Sequence, residues 1–220
     1  MCIRDSLWID TCAGGGRRNE METLRRSVPL HYTDVGYGHH LIKQKQHRVM
    51  FEWTPYFRAH TKNWDNENGD YEWGVERPID EFAYHNALTP SVTSMVEHDA
   101  PEREFEIARR FDPIWRRAAD LMLSGDYYPL TECRKDASDW YAMQFDDPKS
   151  RRGFIQVIRN TLAEPDSYHL NLPCVHDGMT YILTDRESGE SRTLNASELS
   201  RGLDVKLNKR EGIIFFYEYN

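Results

Sequence analysis

Apolar and polar positions follow two different periods along this chain, and the period changes near residue 126. Before that point, short apolar runs alternate with longer polar, helix-like segments. The predicted elements are strand Leu7–Thr11, helix Glu20–Arg26, strand Val28–Thr33, helix Leu41–His47 and strand Val49–Trp53. The strands begin about 21 residues apart, and parallel strands need a crossover of about a dozen or more residues, usually helical. The spacing therefore predicts consecutive β/α units of a barrel.

A longer helix is predicted before the change of period. Asp99 at the N-cap precedes Glu102 by three residues, Pro101 lies in the first turn, and Gly125 ends the helix. Pro113 lies inside this helix and should kink it. The apolar residues of one face recur at spacings of three and four, at Phe105, Ala108, Phe111, Trp115, Ala118 and Met122.

Two segments between these elements have weaker signals. Thr54–His60 is predicted as a polar loop that leaves the third strand through Pro55. His60 in this loop is either a residue at the rim of a site or a loop histidine without a ligand. Phe82–Met95 is predicted as a strand and a turn. The Trp-rich segment between them suits a lid over a substrate or a contact between subunits.

Beyond residue 126 the apolar positions alternate with polar ones. The predicted strands are Trp140–Phe145, Gly153–Arg159, Tyr168–Leu172, Met179–Thr184, Leu203–Leu207 and Ile213–Tyr219. The turn at 187–190 marks a hairpin. Short strands at this spacing indicate an antiparallel sandwich. The predicted fold is therefore α/β plus all-β: residues 7–125 are the C-terminal part of a (β/α)8 TIM barrel, and 126–220 are a small antiparallel β-sandwich.

Charge and cysteine spacing narrow the possible partners. The net charge of −8 argues against nucleic acid, because phosphate binding needs clustered positive charge. No apolar run approaches the length of about 20 residues that a membrane span needs. The four cysteines form no Cys-x-x-Cys pair and the nine histidines no His-Glu-x-x-His motif. We therefore expect no membrane partner, no metal and no other cofactor.

The segment from Leu7 to Asp34 contains the strongest candidate chemistry. Gly14, Gly15 and Gly16 follow the first strand, and glycines allow a close approach of another group to the backbone. Asp34 ends the next strand, at the edge where active sites collect in α/β folds. Two other interpretations stay open, since three glycines also occur in surface turns and a polar residue after a strand is often a helix cap.

This segment resembles the α-galactosidases of glycoside hydrolase family thirty-six, whose motif reads Cys-Ser-Gly-Gly-Gly-Gly-Arg-x-Asp and is followed by Trp-Thr-Ser-Asp. Cys12, Gly14 to Gly16 and Arg18 match it without a gap, and Asp34 follows Cys12 by 22 residues, as the family requires. Arg17 replaces a glycine of the motif, and Glu20 stands where the family has aspartate.

The resemblance implies retaining hydrolysis of a terminal α-galactoside, in which one carboxylate attacks the anomeric carbon and a second acts as general acid and base. It assigns the acid/base role to Asp34. It also implies that Cys12, Gly14 and Arg18 bind the substrate and that Glu20 supports the site. His31 occupies the position of the tryptophan that walls the sugar site in the family.

Residues 1–6, MCIRDS, lack the apolar core of a signal peptide and resemble a translated adaptor or assembly scar. We therefore expect a fragment without its natural upstream part. The missing signal peptide then gives no information on the cellular compartment. The family's nucleophile is the aspartate of a Lys-x-Asp motif on an earlier strand, and Arg4-Asp5 does not supply it. The chain as written is expected to be inactive even if its parent is an enzyme.

Two hypotheses for function follow. The first is the C-terminal part of a glycoside hydrolase with an oligosaccharide or glycoside substrate. The second is a non-catalytic carbohydrate-binding or assembly protein on the same scaffold, which the departures at Arg17 and His31 favour. A homo-oligomer is compatible with either hypothesis.

Overall fold

The computed structural model describes residues 20–27, 30–31, 39–54, 56–64, 76–132, 138–186 and 188–220. The helices are α1 (Met21–Arg26), α2 (His40–Trp53), α3 (Glu81–Asn86), α4 (Glu102–Ser124) and α5 (Ala196–Leu199). The strands are β1 (Leu30–His31), β2 (Phe57–His60), β3 (Ser91–Thr93), β4 (Asp126–Pro129), β5 (Trp140–Asp147), β6 (Arg152–Arg159), β7 (Ser167–Leu170), β8 (Thr180–Asp185), β9 (Ser191–Asn195), β10 (Leu203–Lys206) and β11 (Glu211–Tyr219). The chain is a mixed α/β protein in which antiparallel pairing predominates.

The first sheet is parallel. Its three strands are ordered β1-β2-β3, with Leu30 opposite Phe57 and Arg58 opposite Ser91. Helix α2 lies between β1 and β2 in the chain, and α3 lies between β2 and β3. Strands and helices thus alternate here as predicted, although the elements differ in part from the predicted ones. The three strands do not close into a barrel within the described residues.

The second sheet is antiparallel and has six strands, in the order β4-β5-β6-β11-β8-β9. Neighbouring residues of β6 point to opposite faces, so Phe154 packs toward α4 and Ile155 toward the other side. Helix α4 buries Ile114, Ala118 and Met122 against the first face. The two-stranded pair β10-β7 and α5 cover the second face. The prediction of antiparallel pairing is confirmed, while the predicted sandwich has, within the described residues, a second layer of two strands.

Buried amides join the two sheets. The Gln44 side chain on α2 donates from Nε2 to Asn86 Oδ1 at 2.7 Å and to Asn160 Oδ1 at 2.9 Å, and Asn160 Nδ2 donates back to Gln44 Oε1 at 2.9 Å. Gly212 on β11 lies against the His85 ring, where a Cβ atom would come within 2.5 Å of His85 Cγ. The helices of the parallel sheet therefore pack directly on the antiparallel sheet.

Three predicted elements near the parallel sheet are wrong. Val49–Trp53 is the end of α2 and not a strand, and the predicted loop Thr54–His60 contains β2. Phe82–Met95 begins inside α3 rather than with a strand. The buried positions of α2 include Lys43 and His47, so its helical period is not visible in an apolar pattern.

Helix α4 begins at Glu102 with Pro101 as N-cap, so the predicted cap at Asp99 is wrong. Its Pro113 lies inside the helix, and Gly125 is the C-cap, as predicted. Helix α1 and the six strands predicted beyond residue 126 are confirmed, with ends shifted by a few residues. The predicted strand Leu7–Thr11 lies outside the described residues. Among the helices described, none combines the length and the apolar composition that crossing a membrane would require.

Candidate active-site edge

The predicted site residues fall into two groups. Cys12, Gly14, Arg18 and Asp34 lie outside the described residues. Glu20 and the residue at the predicted sugar wall, His31, are described. The site is therefore built from its described neighbours at the carboxyl ends of β1 and β2, which are adjacent parallel strands and so end at the same edge of their sheet.

Glu20 has the contacts of a helix cap. It is the N-cap of α1, and its carboxylate accepts hydrogen bonds from the backbone N–H groups of Glu22 and Thr23, each at 2.8 Å. The Thr23 hydroxyl also donates to this carboxylate, and these bonds lower the pKa of Glu20. These contacts stabilise the first turn of α1. A supporting role for Glu20 in the site stays a prediction.

His31 is 3% exposed and lies against His60. The distance from His60 Nε2 to His31 Nδ1 is 3.1 Å, and the rings meet edge to face with centroids 4.9 Å apart. One of these nitrogens must carry a proton and the other must accept it. His60 belongs to β2 and is 8% exposed, so it is not a loop histidine. The two imidazoles fix the ends of β1 and β2 against each other.

Lys43 extends from α2 to the same edge. Its amino group donates to the carbonyl oxygens of His60 and Lys62, both at 2.8 Å. The side chain is 2% exposed, and burial lowers its pKa to about 7, an effect that the negative charge of Asp80 opposes. A neutral amine still has two N–H groups, enough for both carbonyls. Lys43 therefore holds the end of β2 in either protonation state.

A second network supports the segment after β2. His40 Nε2 lies 2.8 Å from Asn63 Oδ1, and Asn63 Nδ2 donates to the Pro78 carbonyl at 2.8 Å. Arg210 pairs with Asp80 Oδ2 at 3.0 Å, while Asp80 Oδ1 accepts the Ala83 N–H at 2.9 Å and caps α3. Burial raises the pKa of Asp80. Both oxygens of this carboxylate are therefore engaged in structural bonds.

Sequence reasoning did not identify Lys43, Asn63 or Arg210 as part of this edge. They come from α2, from the segment after β2 and from the turn before β11, and no local motif joins them. Asp80 does have a local sequence signal, because an aspartate just before a helix is typical of an N-cap. The arrangement makes a largely buried, hydrogen-bonded edge at the end of β2, beside β1.

Among known proteins, this chain is similar to a set of solved structures. No family model matches the chain, and no curated protein matches it. Among solved structures, a variant of the α-galactosidase AgaA from Geobacillus stearothermophilus bound to stachyose has a TM-score of 0.74 and 14% identity, over 94% of this chain. AgaB from the same organism has a TM-score of 0.67 and 13% identity, over 90% of this chain.

The chain has the fold of family thirty-six α-galactosidases. The galactosidase domain of the α-galactosidase-sucrose kinase AgaSK shares this fold with a TM-score of 0.62 and 14% identity, over 89% of the chain. The resemblance found in the sequence is thus confirmed at the level of fold. The chain spans 28% of the length of AgaA and 26% of AgaB and of the AgaSK domain. It therefore provides part of a glycoside hydrolase-like scaffold.

Proposed function

We propose that this chain is part of a retaining glycoside hydrolase that acts on terminal α-galactosides, with Asp34 as general acid and base. The observation that carries the proposal is the likeness to AgaA, which extends over 94% of this chain. The Cys-x-Gly-Gly-Gly-x-Arg pattern from Cys12 to Arg18 also supports it.

The ligand class follows from the relatives. AgaA variants were solved with stachyose, with raffinose and with 1-deoxygalactonojirimycin. We carry this ligand class to the present chain as an oligosaccharide with a terminal α-galactosyl group. Cys12, Gly14 and Arg18 would bind that group, and His31 would stand behind the sugar as part of the pair with His60.

The position of Asp34 in the sequence suits an acid/base. It follows the last residue of β1 by three positions, and β1 ends at the edge that His60 and Lys43 hold in place. From this edge, Asp34 would protonate the departing glycosidic oxygen and then deprotonate the incoming water. We further propose that residues 7–125 belong to the barrel of the enzyme and that 126–220 form its β domain.

The nucleophile is assigned outside these 220 residues. The sequence contains no Lys-x-Asp motif, and Asp80 is held by Arg210 and by the α3 N-terminus. A retaining mechanism places its two carboxyl groups about 5–5.5 Å apart. We therefore expect hydrolysis from a longer reading frame that extends upstream of Leu7, and none from the 220 residues alone.

The test uses that longer protein and raffinose, whose departing sugar oxygen needs a proton. Asp34→Asn keeps the shape of the side chain and removes its proton transfer, so turnover should fall by about 10²–10⁴ while the thermal unfolding midpoint stays unchanged. Asp166→Asn is the matched control, since Asp166 is an exposed partner of Lys206 and should keep normal turnover. Near-normal turnover of Asp34→Asn would remove Asp34 from the mechanism.

A carbohydrate-binding protein without hydrolysis is the second candidate. The specific observation in its favour is His31, which stands at the predicted sugar wall but is buried against His60. This candidate predicts that the longer protein binds stachyose in a calorimetric titration and releases no galactose. Release of galactose from stachyose or from an aryl α-galactoside would exclude it.

A further inference from the structure

A buried carboxylate, a thiol and an imidazole meet at one end of the antiparallel sheet. Asp146 is on β5, and Cys174 and His176 lie two residues apart between β7 and β8. His176 Nε2 is 2.9 Å from Asp146 Oδ2 and 3.8 Å from Cys174 Sγ, and the three ligand atoms all lie within 4.8 Å of one another. Oxygen, sulfur and nitrogen donors thus converge on one point, in a region that the proposed glycosidase chemistry does not use.

The separations suit a tetrahedral zinc ion. With Zn–S of about 2.3 Å and Zn–N or Zn–O of about 2.0–2.1 Å, tetrahedral angles place sulfur about 3.6 Å from nitrogen and nitrogen about 3.4 Å from oxygen. The observed 3.8 Å and 2.9 Å differ from these values by about half an ångström or less. The Cys174 sulfur lies within 4.8 Å of a carboxylate oxygen of Asp146, and side-chain rotations that bring these two atoms to about 3.6 Å would give the metal-bound geometry.

The surrounding hydrogen bonds hold the donors in place. The Tyr217 hydroxyl donates to Asp146 Oδ1 at 2.8 Å, and the Tyr219 hydroxyl donates to Oδ2 at 3.3 Å, the oxygen that also lies 2.9 Å from the imidazole. Gln144 Nε2 donates to the Cys174 carbonyl at 2.8 Å, and the His176 N–H donates to the Tyr181 hydroxyl at 2.7 Å. Such outer partners orient ligands in known metal sites. The Cys-x-His segment is thus fixed at both of its ligands before any ion binds.

One side of the cluster reaches solvent. The Asp146 side chain is 1% exposed, whereas the His176 side chain is 35% exposed, so an ion can enter past the imidazole. Three protein ligands leave a fourth position for water, as in open zinc sites. Zinc prefers this mixture of thiolate, imidazole and carboxylate, while calcium and magnesium prefer oxygen ligands alone.

We propose that Asp146, Cys174 and His176 bind a zinc ion that joins the loop before β8 to strand β5. Binding would release the thiol proton of Cys174 to solvent, and His176 would bind as the neutral imidazole through Nε2. The sequence offers no short-range ligand motif for this site, because Asp146 is 28 residues before Cys174.

The experiment titrates the reduced, metal-free 220-residue chain with Co²⁺ and then with Zn²⁺. Cobalt should bind with one equivalent and give a sulfur-to-cobalt charge-transfer band together with the intense visible bands of a tetrahedral ion, and zinc should displace it. Cys174→Ser should remove the charge-transfer band. His176→Ala, which changes a partly exposed side chain and carries little folding risk, should weaken zinc affinity by about 100-fold or more.

His169→Ala is the matched control, because His169 also pairs with a carboxylate, Asp204 Oδ1 at 2.7 Å, on the exposed β7-β10 pair. It should leave the cobalt spectrum and zinc affinity unchanged. The proposal is overturned if wild-type chain shows no charge-transfer band, if the band persists in Cys174→Ser, or if His169→Ala weakens binding as much as His176→Ala. Hydrolase activity does not enter this test, so its outcome is independent of the proposed function.

Discussion

Replacing Lys43 with methionine tests how the carboxyl edge of β2 is held. The Lys43 side chain is 2% exposed and has a pKa of about 7, against 10.5 for an ordinary lysine. Because the folded pKa is lowered, the unfolded chain binds more protons between pH 7 and 10.5, and the free energy of unfolding rises with pH across that window. At 1.36 kcal/mol for each pKa unit, this single group changes stability by about 5 kcal/mol over the whole window.

The measurable part of this effect is the difference between wild type and Lys43→Met. Between pH 7.5 and 9.5 the free energy of unfolding of wild type should rise by about 2–3 kcal/mol relative to the variant, which has no amine to titrate. At pH 9.5 the variant should also be less stable by about 1–3 kcal/mol for each buried carbonyl, of His60 and Lys62, that loses its donor.

Urea unfolding followed by tryptophan fluorescence at pH 7.5, 8.5 and 9.5 gives these differences directly. Lys149→Met provides the control, since Lys149 is exposed in the turn between β5 and β6 and its loss should leave the pH dependence of wild type intact. Stability curves of wild type and Lys43→Met that run parallel with pH would refute the assignment of a neutral, buried Lys43.

Three further predictions concern stability. Asn195→Ala removes the capping box with Glu198 and should lower the free energy of unfolding by about 1 kcal/mol in a thermal melt. Phe154→Ala empties a fully buried site between the sheet and α4 and should cost about 3–5 kcal/mol in urea unfolding. Burial lowers the pKa of His47 and His85 to about 3, from 6.5, so the unfolded chain takes up their protons first. Stability should therefore fall as pH drops from 6.5 toward 3, and His47→Gln should flatten that dependence when urea midpoints at pH 7 and pH 5 are compared.

Each of these has a contradicting result. An unchanged melting temperature of Asn195→Ala would mean that the cap contributes nothing to α5. A loss below about 1 kcal/mol for Phe154→Ala would require that the core between β6 and α4 collapses around the smaller residue. Equal acid sensitivity of His47→Gln and wild type would exclude His47 as a source of acid unfolding.

The strands of the antiparallel sheet were predictable from their apolar residues and from the turns between them. Apolar residues follow one another directly in β6 and β11, because both faces of the sheet are buried and neighbours such as Phe154 and Ile155 belong to two different cores. The hairpin between β8 and β9 was marked by Gly189, which has a φ of +76°. Helix α4 was predictable because one of its faces is buried and, apart from Glu104, that face is apolar.

Helix α2 was predicted only in part, at Leu41–His47, because much of its buried face is polar. His40, Lys43, Gln44 and His47 are all buried there, each beside partners that lie far away in sequence. The apolar residues therefore do not mark the whole helix, and the segment Val49–Trp53, with its β-branched and aromatic residues, resembles a strand. The contacts at the carboxyl edge of β2 could not be predicted either. Lys43 reaches its carbonyls, and Gln44 its amide partners, only when α2 is packed on β2 and α3.

The cluster around Asp146 could not be read from sequence for a different reason. Asp146 is on β5, Tyr217 is on β11, and the Cys174–His176 segment lies in a connection between other strands. The pairing of β5, β6 and β11 brings them together. A local motif search has no signal for ligands that meet only through sheet pairing.

Leaving-group dependence of Asp34→Asn in the longer protein is the most direct test of the proposed hydrolase. A nitrophenyl α-galactoside departs readily without protonation, whereas the sugar oxygen released from raffinose needs a proton from the general acid. If Asp34 is that acid, the kcat/KM of Asp34→Asn relative to wild type falls much further with raffinose than with the nitrophenyl substrate. Equal losses with both substrates, or no loss with either, would contradict the role of Asp34 and the mechanism built on it.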